Sequence, residues 1–228
     1  MAHNDRELTK QELMAFQALV RGRGSRKPLV HLTGKREFYG LELQITPDVL
    51  TPRAETEKMA EWAIKYAPKG SNLLDMGTGS GALAITIAKH RPDLKVFASE
   101  VSPAALKVAE HNATKQAVNI KFIQSDLWQH ISAHFETVVT NLPYLEDGAE
   151  LMPEVQKEPA VALFGGKDGL GLYRRFLKGL PDHLKPVGYL FTESDPWQHE
   201  ALIKEAKRYH LKLIEQDYFI LGFQLAKE

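Results

Sequence analysis

Cysteine is absent from all 228 residues. Disulfides, thiolate metal sites, iron–sulfur clusters and cysteine nucleophiles are therefore excluded. A bias of charge is lacking too: 29 Lys+Arg balance 29 Asp+Glu, for a formal net charge of zero. Proteins that track phosphates usually carry a basic excess, so charge gives no warrant for a nucleic-acid partner. No apolar run approaches the ~20 residues a membrane-spanning helix needs. The opening MAHNDRELTK lacks the hydrophobic stretch of a secretory signal, so a cytoplasmic location is expected. What remains is 43% hydrophobic content, in a length that suits one ordinary domain with a small appendage.

Thr9 and Glu12 have capping-box spacing, and Leu8 is placed to staple against Leu13. Leu13, Phe16, Leu19 and Val20 form an apolar stripe with stop signals at Gly22 and Gly24, which predicts a short packing helix. The basic run RGRGSRK, residues 21–27, reads as a solvated linker. Phe38-Tyr39-Gly40-Leu41-Glu42-Leu43-Gln44-Ile45 alternates around a glycine as a hairpin does, within residues 37–49. A helix over 55–66 follows Thr51-Pro52.

Strand and helix then alternate. Strands are predicted over 72–75, 95–98, 119–123, 137–140 and 188–192, with two more inside 211–225. Helices are predicted over 82–90, 103–115, 169–180 and 198–209. This order predicts an α/β fold with a mainly parallel seven-stranded sheet and helices on both faces. The chain divides into a helical segment and linker (1–36), a β-hairpin connector (37–57) and the main domain (58–228). The irregular stretch from 142 to 168 exceeds the ~12–15 residues usual for a loop and is expected to be functional.

Leu73-Leu74-Asp75-Met76-Gly77-Thr78-Gly79-Ser80-Gly81-Ala82 runs a strand through glycines into a helix. Such a junction brings a ligand close to backbone and to a helix N-terminus. By letter it satisfies G-x-G-x-x-A, the dinucleotide fingerprint, with Glu100 about twenty residues on. It lacks the Lys-Ser/Thr of a phosphate-binding P-loop. Asp75 discriminates among ligands: beside a pyrophosphate it repels, whereas beside the ammonium and sulfonium of S-adenosyl-L-methionine it attracts. Glu100 suits ribose hydroxyls, and Gln124-Ser125-Asp126 suits an adenine amino group.

Thr137-Val138-Val139-Thr140 ends in Asn141-Leu142-Pro143-Tyr144. Ligands of open parallel sheets bind beyond the carboxyl ends of strands, which puts Asn141 beside the expected cofactor. The Asn141 side-chain oxygen and the Leu142 carbonyl suit the two hydrogens of a planar NH2 group, and so supply catalysis by orientation. Tyr144 offers an aromatic wall and Pro143 stiffens the turn. The plain alternative is a strand-terminating Asn-x-Pro turn.

The order GTGSG, strand-end acid, SD and N-x-P-Y resembles the HemK-type protein glutamine N5-methyltransferases. These are Rossmann-like class I methyltransferases that modify the GGQ glutamine of peptide chain release factors. The resemblance runs from residue 28 to 193 and includes PLVHLTG (28–34), EFYG (37–40), VLTPRAETE (49–57), and EPAVALFGGKDGL (158–170) with Tyr173-Arg174. It implies S-adenosyl-L-methionine as cofactor, contacted by Gly77, Thr78, Gly79, Ser80, Gly81, Glu100, Leu127 and Asn141; the reading of the residues adds Asp75 and Asp126 to the expected cofactor contacts. It implies that Asn141, Leu142, Pro143 and Tyr144 hold the substrate amide, with Arg53 and Glu158 as further substrate contacts. The expected partner is a release factor, engaged by a monomer, with no metal. Leu142 stands where the family usually has a first proline, so a fixed φ is lost while the carbonyl survives. The family's helical N-terminal domain is longer than the segment here, so a truncated docking domain is expected.

Two rival readings remain open: an amino methyltransferase acting on adenine N6 of nucleic acid, and a cofactor-binding protein that has lost turnover. An NAD-dependent oxidoreductase is opposed chiefly by Asp75. His130 and His134 lie four apart but have no third ligand nearby in sequence, so they are read as solvated. Trp128 and Phe122 flank Asp126 and are candidates to pack near an adenine, Phe122 more simply as core. Trp62, Phe176 and Leu177 have helix-core spacing.

Overall fold

The structure, a computed structural model, describes residues 6–227; the first five residues of the stretch read for a secretory signal lie outside them. In chain order the elements are α1 (Lys10–Gly24), α2 (Leu29–Thr33), β1 (Lys35–Phe38), β2 (Leu41–Gln44), α3 (Glu57–Tyr66), β3 (Asn72–Met76), α4 (Ala82–His90), β4 (Lys95–Glu100), α5 (Pro103–Gln116), β5 (Ile120–Gln124) and β6 (Phe135–Thr140). They continue with β7 (Leu145–Glu146), β8 (Phe164–Gly166), α6 (Gly171–Gly179), β9 (Leu184–Glu193), α7 (His199–Lys207), β10 (Leu211–Gln216) and β11 (Ile220–Leu225).

The main sheet has seven strands in the order β10-β11-β9-β6-β3-β4-β5 among the described residues. β9, β6, β3, β4 and β5 pair in parallel, while β11 pairs antiparallel with both β9 and β10. Successive strand side chains point to opposite faces, which feeds two cores. Leu73, Val139 and Phe191 join Met59 and Trp62 of α3, with α4 and α5, on one face. Leu74, Val138 and Leu190 join Tyr173 and Phe176 of α6, with α7, on the other. Both faces are covered, as the alternation of strand and helix predicts.

Some expectations are corrected. The capping box at α1 forms, with the Thr9 hydroxyl accepting from the Glu12 N–H at 3.2 Å and Glu12 accepting from the Thr9 N–H at 2.9 Å. The helix does not bury its stripe, however: Leu13, Phe16, Leu19 and Val20 are 41–57% exposed. Within the described chain it meets mainly α2, where Gly22 lies against Leu32. The predicted linker is also partly helical: α1 runs through Gly22 to Gly24, past the expected stop, and ends at Ser25. Its Arg23 and Arg26 reach Glu154 at 2.9 and 3.5 Å. The short α2 and the two-stranded β7–β8 pair were not expected from the pattern.

The hairpin turns at Tyr39 and Gly40, both at positive φ (+50° and +74°), as a two-residue turn matching strand twist requires. Asn112 of α5 ties it to the sheet. Its fully buried side chain accepts from the Gln44 N–H at 2.8 Å and donates to the carbonyls of Gln44 (3.0 Å) and Ser80 (2.9 Å). One side chain thus satisfies three backbone groups across two elements. Asn112→Leu leaves all three without that partner, and each loss costs roughly 1–3 kcal/mol when buried. We expect a loss of about 3 kcal/mol in urea denaturation, with faster hydrogen exchange at the Gln44 amide.

Candidate active site

A cleft of 340 Å³ opens at the carboxyl ends of β3, β4 and β6. Its floor is the glycine loop. Gly77, Gly79 and Gly81 all have positive φ, and the Gly77 and Thr78 N–H groups donate to the Ser99 carbonyl at 2.9 and 3.0 Å. A Cβ on Gly79 would meet nothing, so its backbone faces open cleft, whereas one on Gly81 would press on Ile85 and Ala109. The first position accommodates a ligand and the other the packing of α4 on α5.

Asp75 ends β3, 1% exposed. Its Oδ2 accepts from the Thr78 hydroxyl at 2.6 Å and the Ala84 N–H at 3.1 Å, which pins the loop to α4. Glu100 ends β4 and accepts from the Gly79 N–H at 3.0 Å and the Ser102 N–H at 2.9 Å. Each of its oxygens keeps a further lone pair for a ligand. Leu127 is buried at positive φ (+48°) and lines the cleft, while Asp126 is exposed and pairs with Arg175 at 2.8 Å. The arginines that line the cleft, Arg53 and Arg175, each pair with an acid, and the acids Asp75 and Glu100 lie at the strand ends. That charge arrangement fits a cationic cofactor and disfavours a pyrophosphate.

The turn after β6 forms the opposite wall. The Thr140 hydroxyl donates to the Met76 carbonyl at 2.8 Å, lashing β6 to β3. Asn141, Leu142 and Pro143 line the cleft. The Leu142 side chain is buried (4% exposed) and packs toward Gly77, where a Cβ would lie 3.3 Å from Leu142 Cδ2. Tyr144 turns away from the cleft wall and donates its hydroxyl to Glu193 Oε1 at 3.3 Å, and burial pushes its phenol well above its usual range.

The glycine-rich block explains itself at this turn. A Cβ on Gly165 would collide with the Pro143 carbonyl, and one on Gly169 with the Tyr144 carbonyl. The Gln198 side chain then donates to the Tyr144 carbonyl at 2.9 Å and the Asp168 carbonyl at 3.3 Å. Asp168 is fixed in turn by Arg174, which holds its carboxyl down at about 2.

Of the residues singled out in the sequence, Gly81, Tyr144 and Glu158 do not line the cleft. Glu158 is buried and pairs at 2.7 Å with Arg53, 105 residues away, so these two charges meet each other. Trp128 stacks on Phe176 and His183, with ring centroids 5.3 and 4.5 Å apart, and donates to the Phe176 carbonyl, away from the cleft. His130 and His134 lie outside any helix and both are exposed. Among the described residues no cluster of acids and histidines is arranged to hold a metal ion, and no helix is long and apolar enough to cross a membrane.

Sequence reading missed Thr56, Glu193 and Gln198. Glu193 is 2% exposed at the end of β9 and accepts from the Thr56 hydroxyl at 2.6 Å. The signal that exposed Glu100, an acid ending an apolar strand, is equally present in Gly188-Tyr189-Leu190-Phe191-Thr192-Glu193.

Burial, opposed by the Thr78 and Ala84 hydrogen bonds, pushes Asp75 up to about 7 from 3.8. A carboxyl raised on folding favours the folded state in its protonated form. That contribution is complete below about 3.8 and is lost as pH rises through about 7. Asp75→Asn removes the titration, so its melting temperature relative to the parent is expected to climb between pH 5 and pH 8. Differential scanning fluorimetry across that range, with a flat difference as the contrary result, checks this.

Comparison with known proteins agrees with this geometry. Residues 60–160 match the Methyltransferase small domain family. The release factor glutamine methyltransferase of Geobacter sulfurreducens is 37% identical over 203 residues, covering 87% of this chain and 72% of that protein. The protein of the same name from Mycolicibacterium smegmatis is 40% identical over 190 residues, covering 81% and 68%. Among solved structures, a methyltransferase from Pyrococcus furiosus superposes with a TM-score of 0.63 at 17% identity, covering 92% of this chain and 98% of that one. The Thermus thermophilus 16S rRNA N2 G1207 methyltransferase, solved with AdoMet and guanosine, gives 0.62 at 19% identity, covering 85% and 50%. These two share the fold alone. The curated relatives share the sequence over most of both chains, and the chain belongs to the release factor glutamine methyltransferase family, within the S-adenosylmethionine-dependent class I methyltransferases.

Proposed function

We propose that this chain transfers the methyl group of S-adenosyl-L-methionine to the side-chain amide nitrogen, N5, of the GGQ glutamine of a peptide chain release factor. The observation that carries the reading is that Asn141, Leu142 and Pro143 face the glycine loop across one cleft. The names of the curated relatives support the substrate. We take the enzyme to act as a monomer, and the substrate class supports a cytoplasmic location. In the division proposed here, residues 58–228 carry the transfer chemistry and 37–57 lend Arg53 and Thr56 to the cleft.

When bound, the cofactor supplies an electrophilic methyl group on its sulfonium. Gly77, Thr78, Gly79 and Ser80 shape its seat, with Gly81 packing α4 against α5 behind it; Asp75 and Glu100 provide the opposing charge, and Asp126 and Leu127 flank the adenine end. Asn141 Oδ1 and the Leu142 carbonyl accept the two hydrogens of the glutamine amide, which turns the nitrogen lone pair toward the cofactor. That is catalysis by orientation. Leu142 keeps capacity for this, because the single hydrogen of Tyr173 goes principally to the Glu193 carbonyl rather than to Leu142, 3.5 Å away. Alkylation makes the nitrogen acidic, so solvent can take its proton. Arg53 and Glu158 act as a pair that holds the 142–168 loop beside the substrate end.

Incubation with labelled cofactor and a release factor, followed by mass spectrometry of the GGQ peptide, tests the proposal. One added methyl on glutamine is expected, with Asn141→Ala lowering kcat about 100-fold. A release factor unmodified under saturating cofactor overturns the substrate. Label on nucleic acid moves the reading to an adenine amine, which presents the same NH2 geometry.

A further inference from the structure

Glu193 is a buried carboxylate that pairs with no cation among the described residues. Its neighbours are hydroxyls and an amide: Thr56 donates to Oε2 at 2.6 Å and Tyr144 to Oε1 at 3.3 Å. Burying a carboxylate in this way costs several kcal/mol relative to water, and an apolar or amide side chain would serve packing better. Burial pushes Glu193 up, while hydrogen bonds from Thr56, Tyr144 and Asn141 favour its charged form. Thr56 is equally unusual. It sits at the N-cap of α3, where a threonine hydroxyl normally accepts from the helix backbone, yet it makes no such bond.

Counting hydrogens explains both. Glu193 Oε2 accepts from Thr56 at 2.6 Å, and a threonine hydroxyl has one hydrogen to give. The short contact to Glu193 commits that hydrogen, so Thr56 Oγ1 has only lone pairs left for Asn141. It therefore selects the donor end of the Asn141 amide, and Nδ2 lies 3.4 Å away. A side-chain amide that turns Nδ2 inward must turn Oδ1 outward. Without Glu193 the Thr56 hydrogen is free to seek Oδ1, which would present two hydrogens to a substrate that also brings two.

We propose that Glu193 is a positioning residue that, through the Thr56 hydroxyl, fixes the Asn141 amide with its oxygen toward the substrate nitrogen. This rests on the substrate-holding role given to Asn141 above and adds the device that sets its polarity. Glu193 touches neither substrate nor cofactor; it acts on the acceptor that does.

Thr56→Val keeps the shape and deletes the relay, while Thr56→Ser keeps the hydroxyl. In methylation of a release factor, Thr56→Val is expected to lower kcat at least about tenfold. KM and calorimetric cofactor affinity should stay within about twofold, because binding elsewhere is untouched. Thr56→Ser should recover kcat to within about threefold of the parent. An unchanged kcat in Thr56→Val, or equal losses in both variants, overturns the relay. Neutron diffraction from deuterated crystals of the parent reads the orientation without any substrate. The Thr56 deuteron is expected on the Glu193 side and the Asn141 deuterons on the Thr56 side. A Thr56 deuteron aimed at Asn141 Oδ1 overturns the proposal. Should the parent leave the release factor unmodified, the functional reading fails on that result, and the neutron arm alone decides the orientation.

Discussion

Close approach of two backbones is the constraint on which this site depends. Gly165 lies on the Pro143 carbonyl and Gly169 on the Tyr144 carbonyl, with no room for a methyl group between them. The turn that ends β6 is thereby clamped by a segment more than twenty residues further along. The β7–β8 pair, Leu145 against Phe164, sets in just past the turn and holds the same two segments together. Gln198 completes the clamp by donating to both strips of backbone. Because the clamp acts on main chain, the turn keeps its course even where its second residue is leucine. The bulk of Leu142 goes into the core beside Gly77.

The parts of the site that could be read from the chain are those written in short contiguous text. A strand running into GTGSG, another ending in Glu100 and a third ending in Asn-Leu-Pro-Tyr each announce themselves within ten residues. The fold was legible for the same reason, because the two-residue and 3.6-residue periods are local properties. What stayed hidden depends on strand order. Glu193 matters because β9 lies beside β6, and its partner Thr56 is 137 residues away. Arg53 and Glu158, expected as substrate contacts, also pair with each other across 105 residues, a contact only the fold reveals. The stripe on α1 marks a helix with an apolar face, but the same pattern is written whether or not that face is covered.

Electrostatically the site is more uneven than a chain of zero net charge suggests. The two rim arginines of the cleft are neutralised by Asp126 and Glu158, while Asp75 and Glu193 sit buried without a cation among the described residues. The two buried acids are handled differently. Glu193 collects hydrogens from side chains at the start of α3 and in the 141–144 turn, whereas Asp75 is bound into its own loop and helix. One acid fixes direction and the other fixes the loop.

A carboxyl that titrates near neutrality also carries a proton inventory. Around pH 7 a sizeable share of molecules holds a proton on Asp75, at a position that borders the cleft. Any cation that settles nearby stabilises the ionised form and expels part of that proton into solution. The heat of such a binding event then contains the buffer's own ionisation heat. Titrations in phosphate and in Tris will disagree in enthalpy while agreeing in affinity.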